Sequence, residues 1–225
     1  MSITKAIDGE TPRMEYNESS GLWFSWDFST LFSSPRREEA ERRTAEGMVA
    51  LKERVADSGA LLVTFGTAWI YELEDGMVVA NCHKRPAKMF RRRLMGVDEI
   101  TGLWSPLIER LKALNPGIKI IFTVSPVRHL ADGFAGNLRS KARLILACEE
   151  LSRLPGCDYF PAYEILTDDL RDYRFYADDL LHPTEFAADY IMEKFIATYV
   201  PEEEFPHLQQ GIKEYKRLNH RNLHC

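Results

Sequence analysis

At 225 residues, 45% of them hydrophobic, the chain is long enough to bury one substantial core and reads most simply as one domain with extensions. A net charge of -5, with both signs spread along the sequence, speaks against a protein that binds a phosphate backbone. The first residues lack a secretory apolar stretch, no run of ~18 apolar residues could span a bilayer, and Cys82, Cys148, Cys157 and Cys225 show no CxxC spacing; a reduced, cytoplasmic protein is expected.

Met1 to Ile7 reads as a short helix, followed by a polar stretch over 8–21. Leu22 to Phe28 then crowds Trp23, Phe24, Trp26 and Phe28 together; a cluster of that kind is unusual on a soluble surface, so the extension 1–35 is expected to pack on the core. From Arg36 to Ser58, Ala45, Met48, Val49, Leu51 and Val55 recur at helical spacing, with Gly59 as a stop. Ala60 to Phe65 is a continuous apolar run ending in Gly66 and Thr67, the pattern of a buried parallel strand entering a loop. Trp69–Tyr71 and Met77–Asn81 flank Glu74-Asp75-Gly76 and predict a hairpin. The basic triplet Arg91-Arg92-Arg93 reads as a solvated helix face.

Val97 to Leu114 has helical periodicity and ends at Asn115-Pro116-Gly117. Ile118–Val124 follows as a second central strand running into Ser125-Pro126-Val127-Arg128-His129, then a helix over 137–153, then a short strand Cys157–Phe160 leading to Tyr163 and Glu164. A last helix spans 184–198, and the tail 201–225 is expected to be peripheral. Strand and helix alternating in this way indicate a parallel sheet with helices on both faces, in a domain over 36–200. In such sheets the ligand lies beyond the carboxyl ends of the strands. Gly66, Thr67, Ser125, Arg128, His129, Tyr163, Glu164 and His182 all follow predicted strands or precede the final helix, so four loops are expected to converge on one pocket.

The chemistry concentrates in Asp179-Leu180-Leu181-His182, followed by Pro183. A carboxylate three residues before an imidazole suits a general base and the acid that orients it: the carboxylate fixes the ring's tautomer and stabilises the cation. The plainer reading is a loop histidine bonded to backbone. For His129 and His83 a structural role is the simpler account, and a Ser-Pro turn explains Ser125 without chemistry. Cys82 and His83 are neighbours in an extended segment and point to opposite faces, which disfavours a dyad. A metal-dependent hydrolase using His83, His129 and His182 lacks the short His spacing of common zinc sites.

The runs Leu62–Tyr71, Val79–Lys84, Ile121–His129, Tyr159–Glu164 and Asp172–Pro183 resemble the GSCFA-domain family, and that family is similar to the SGNH (GDSL-like) hydrolases. The resemblance implies a flavodoxin-like three-layer α/β/α sandwich and a Ser-His-Asp triad in which His182 and Asp179 are two members. It implies oxyanion or substrate-binding roles for Gly66, Thr67, Asn81, His83 and His129, with Asn81 substituting for the superfamily's displaced asparagine. It also implies a small-molecule or carbohydrate ester as substrate; from the residues themselves no cofactor, metal, nucleic acid or membrane partner is expected. The Gly-Ser-Cys-Phe-Ala stretch that carries the nucleophile is nowhere in this sequence. A base without its nucleophile retains little covalent catalysis, so this chain alone is expected to be inactive. A sheet lacking its first strand is expected to leave an edge that is open or covered by a partner such as a second copy. The competing reading is a non-catalytic module that binds a carbohydrate or an acyl group, with Trp23, Trp26 and Trp69 as stacking surface.

Overall fold

The computed structural model describes residues 2–220; Cys225 and the end of the tail lie outside the described residues. The chain divides between Pro161 and Ala162 into two compact units. The first holds α1 (Ser2–Asp8), β1 (Glu15–Asn17), β2 (Leu22–Phe24), α2 (Arg37–Asp57), β3 (Ala60–Phe65), β4 (Trp69–Glu72), β5 (Val78–Val79), β6 (Arg91–Leu94), α3 (Val97–Leu114), β7 (Lys119–Val124), α4 (Gly133–Ser152) and β8 (Cys157–Phe160). The second holds α5 (Ala162–Glu164), continued by a π-helical turn over Ile165–Leu170, then α6 (Glu185–Tyr199) and α7 (Phe205–His220).

In the first unit β3, β7 and β8 form a parallel sheet in that order, so the chain is a mixed α/β protein. The middle strand is buried on both faces: Ile120, Ile121, Phe122 and Val124 are each at most 2% exposed. One face carries Phe65 and Phe122, stacked at 5.9 Å, and Trp104 of α3 meets them edge-on at 5.3 and 5.4 Å. Such aromatic contacts hold α3 against the sheet with geometry as well as area. The side chain of Asn115 ties the turn after α3 to the end of α2, donating to the carbonyls of Val55 at 2.9 Å and Ser58 at 2.8 Å. That bond pair sets where the chain enters β3.

β3 departs from the sequence reading. It pairs with β7 from Ala60 opposite Lys119 to Phe65 opposite Val124, and has no second strand partner among the described residues. Its outward residues Ala60, Leu62 and Thr64 are exposed, Leu62 to 52%. A continuous apolar run cannot distinguish a strand covered on both faces from one covered on a single face, because Leu and Val are tolerated on either.

The basic triplet also departs: it is strand β6, paired antiparallel with β4. Alternation along the strand separates the three charges. Arg91 and Arg93 reach opposite oxygens of the buried Glu72 at 3.0 and 2.7 Å, and Arg93 continues to Glu99. On the other face, the Arg92 guanidinium lies 4.8 Å from the centre of the Trp69 ring and 5.3 Å from that of Tyr71, and pairs with Asp132. A sequence window sees three like charges; the pleat gives each its own acid or aromatic face.

The N-terminal aromatic run is interior. Phe24 and Trp26 are 2% exposed and cluster with Val79, while Phe28 packs with Ala6 of α1 and Met48 of α2. Lys5 bonds the buried carboxylate of Asp27 at 2.6 Å, pairing a charge that the core would otherwise not tolerate.

The second unit has its own small core of Leu166, Tyr176 and Ala187, flanked by Leu170, Phe175 and Ile191. Its α6 begins at Glu185, where the hydroxyl of the preceding Thr184 accepts the Ala187 N–H at 3.3 Å, a serine/threonine-type N-cap.

Candidate functional site

At the carboxyl ends of β3 and β7 the first unit gathers a polar cluster. Lys141 of α4 is completely buried, and its ammonium donates to the carbonyl oxygens of Gly66 at 2.6 Å and Ser125 at 2.7 Å. These are the residues that leave the two adjacent parallel strands, so one cation clamps both exits. Burial pulls the Lys141 pKa down to about 8. Beside it, the Ser140 hydroxyl accepts the Ala68 N–H at 2.7 Å and shares a 3.0 Å hydrogen bond with the Thr67 hydroxyl. His129 also belongs here: a β-carbon built on Gly66 would stand 3.5 Å from its Nε2. The His129 N–H donates to the Asn137 side chain at 2.9 Å, which fixes the loop after β7 to α4.

Gly66, Thr67 and His129 thus come together. Thr67 holds backbone, accepting the Trp69 N–H at 3.1 Å, and Ser125 makes the expected turn, its hydroxyl accepting from Val127 at 3.3 Å.

Asn81 and His83 have different surroundings. His83 is 4% exposed, lies 4.3 Å from the Phe24 ring and donates from Nε2 to the Ser25 carbonyl at 2.9 Å. Burial pushes its pKa down, against the pull of hydrogen bonds to the backbone of Ser25 and Phe28. The Asn81 carboxamide oxygen accepts the His83 N–H at 2.7 Å. His83 is therefore an interior histidine and Asn81 a turn residue that holds it. Trp26 is likewise part of the core, whereas Trp23 and Trp69 are half-buried under the guanidinium groups of Arg37 and Arg92. Among the described residues no group of His, Cys, Asp and Glu side chains could hold a metal ion.

The second unit holds Asp179 and His182 in contact. A loop is closed by the Ala177 N–H on the His182 carbonyl and the Leu180 N–H on the Ala177 carbonyl, both at 2.8 Å. Leu180 takes φ of 58° to make this turn, a conformation costing a side-chain-bearing residue roughly 1–2 kcal/mol. Asp179 over-determines it: Oδ1 accepts the N–H groups of Leu181 at 2.8 Å and His182 at 3.0 Å. Its other oxygen lies 2.6 Å from Nδ1 of the His182 ring. Hydrogen bonds from the His182 backbone and ring, and from the Leu181 backbone, hold the Asp179 pKa at about 2. An ionised carboxylate can only accept, so Nδ1 carries a proton, and in the neutral ring Nε2 holds the lone pair. That nitrogen has no hydrogen-bond partner among the described residues, and the side chain is 61% exposed. The arrangement is an oriented imidazole open to take a proton.

The sequence reading missed Lys141. A signal was present: Asn137, Ser140, Lys141, Leu144, Ala147, Cys148 and Leu151 recur at helical spacing and form the buried stripe of α4. A lysine inside an apolar stripe needs buried acceptors, and here the carbonyls at the ends of β3 and β7 supply them.

No helix among the described residues is long and apolar enough to cross a membrane. The family model of the GSCFA family matches residues 2–195. No curated protein and no solved structure matches the chain.

Proposed function

The chain belongs to the GSCFA family, and from that premise we propose that it carries the acid–base half of an SGNH-like ester hydrolase in a flavodoxin-like α/β/α sandwich that lacks its first strand. The observation that carries the reading is the 2.6 Å contact between Asp179 Oδ2 and His182 Nδ1, with Nε2 left open. In this chemistry a serine hydroxyl attacks the ester carbonyl as its proton passes to Nε2 of His182. The imidazolium, stabilised by the Asp179 carboxylate, returns that proton to the departing alkoxide. Water then cleaves the acyl-serine by the same transfers in reverse. The serine is the one in the Gly-Ser-Cys-Phe-Ala stretch, which this sequence does not contain.

The test is release of nitrophenol from nitrophenyl acetate by the chain alone and by the chain joined to a Gly-Ser-Cys-Phe-Ala segment. The joined protein is expected to turn over, and His182→Ala to lower its rate at least about a hundredfold. Equal rates in the joined protein and its His182→Ala variant would reject the assignment.

A further inference from the structure

The first unit contains a concave apolar space that adjoins the strand-end cluster at Thr67 and Ala68. It has a volume of about 440 Å³ and is bounded by Phe65 at the end of β3, by Met77 and Val79 around β5, by Met95 and Trp104, and by Leu144 of α4. None of the residues around it carries a charge, and the sole side-chain hydroxyl is that of Thr67, in the loop that leaves β3. Leu103, 61% exposed, stands at its rim, while Val79 and Leu144 are at most 8% exposed and form its depth.

We propose that this cavity binds a linear, uncharged alkyl or acyl chain, with the polar end of the ligand at Thr67 and the hydrocarbon running towards Val79 and Leu144. The volume falls within the range of about 300–1,000 Å³ typical of small-molecule sites, and such sites join apolar walls to a few polar groups at one end. The polar end here coincides with the carboxyl end of a parallel strand, where ligands of these sheets bind. Absence of any charged lining selects against an ionic or heavily hydroxylated ligand, because its polar groups would lose water without finding partners. Two methionines in the wall suit a flexible chain, since their unbranched thioethers repack around hydrocarbon of varying shape. Ala68, Val79, Ile100 and Leu144 of the lining are buried, so the floor of the site is formed before the ligand arrives. The inference does not depend on hydrolysis, and binding is read without turnover.

The experiment is isothermal titration of the chain with hexanol, octanol and decanol, and with decanoate for comparison. Affinity is expected to rise about fourfold per added methylene, the value that burial of a methylene from water implies. Decanol is expected to bind at least as tightly as decanoate. Leu103→Trp narrows the rim at an exposed position and is expected to weaken decanol at least tenfold; Met95→Trp, which fills the space from the wall, should do the same. Leu31→Trp, at a position 84% exposed and outside the cavity, is expected to leave binding unchanged. Circular dichroism of each variant separates lost binding from lost folding. Affinity independent of chain length, or equal affinity in Leu103→Trp and Leu31→Trp, would overturn the assignment. So would concentration-dependent self-association that Leu103→Trp abolishes, since the space would then serve a second copy of the chain.

Discussion

Replacing Lys141 by methionine keeps the length and apolar stem of the side chain and removes its ammonium, so Lys141→Met isolates a proton buried at the strand ends. The folded-state pKa is about 8 against an ordinary 10.5. Because the folded value is the lower, the unfolded chain binds the proton more tightly. Below pH 8 both states are protonated and the fold bears the full penalty, roughly 3 kcal/mol at about 1.36 kcal/mol per unit. Between 8 and 10.5 only the unfolded chain keeps its proton, so stability rises with pH. Integrated from about pH 7 to about pH 9.5, this single group adds on the order of 2 kcal/mol to the wild type and nothing to the variant. Other titrating groups affect both proteins alike. The readout is therefore the difference in unfolding free energy between wild type and variant, from urea titrations at the two pH values with matching m-values. Loss of the bonds to Gly66 and Ser125 leaves two carbonyls without their cation, at about 1–3 kcal/mol each, and this sets the offset between the proteins. The linkage sets the slope. A difference that stays constant with pH would refute the reasoning, because the short bonds to the two carbonyls would then fully offset the desolvation of the ammonium.

Asp179→Asn removes the acceptor that selects the His182 tautomer, so nitrogen-detected NMR should change from a single Nδ1-protonated ring to a mixture of tautomers; an unchanged spectrum would contradict the orienting role. The lowered pKa of His83 means that the unfolded chain gains the proton first as pH falls below 6.5, so stability should decline there, and thermal unfolding of His83→Gln should show a flatter decline. Phe122→Ala, at a position 0% exposed on the central strand, is expected to cost about 3–5 kcal/mol in urea unfolding through lost burial and the cavity left behind. Leu62→Lys on the exposed face of β3 should change stability by less than about 0.5 kcal/mol and reduce aggregation seen by light scattering, since a charge on an edge strand opposes edge pairing.

The parallel strands β3, β7 and β8 and the long helices between them were legible because apolar periodicity encodes local structure directly, and their bounds shift by only a few residues between the two readings. The hairpin β1–β2 was not legible: its three-residue strands are too short for any period to declare itself. The arginine triplet was misread for a related reason. Its strand character comes from pairing with β4 and from Glu72, which lies nineteen to twenty-one residues away.

At the level of chemistry, the Asp179–His182 pair could be read from the chain alone, because three residues of separation let a tight turn bring carboxylate and imidazole together without help from distant segments. Which other polar residues share a site could not. Gly66 and His129 meet only because two strands run parallel and end at the same level, and Lys141 is drawn to them by carbonyls that this alignment leaves open. The surroundings of His83 are set by aromatic residues almost sixty positions earlier in the chain. Local spacing determines what neighbours in sequence can do with one another; burial and charge partners across the sheet are decided by tertiary packing, since a residue's solvent and its distant acceptors exist only once the chain is folded.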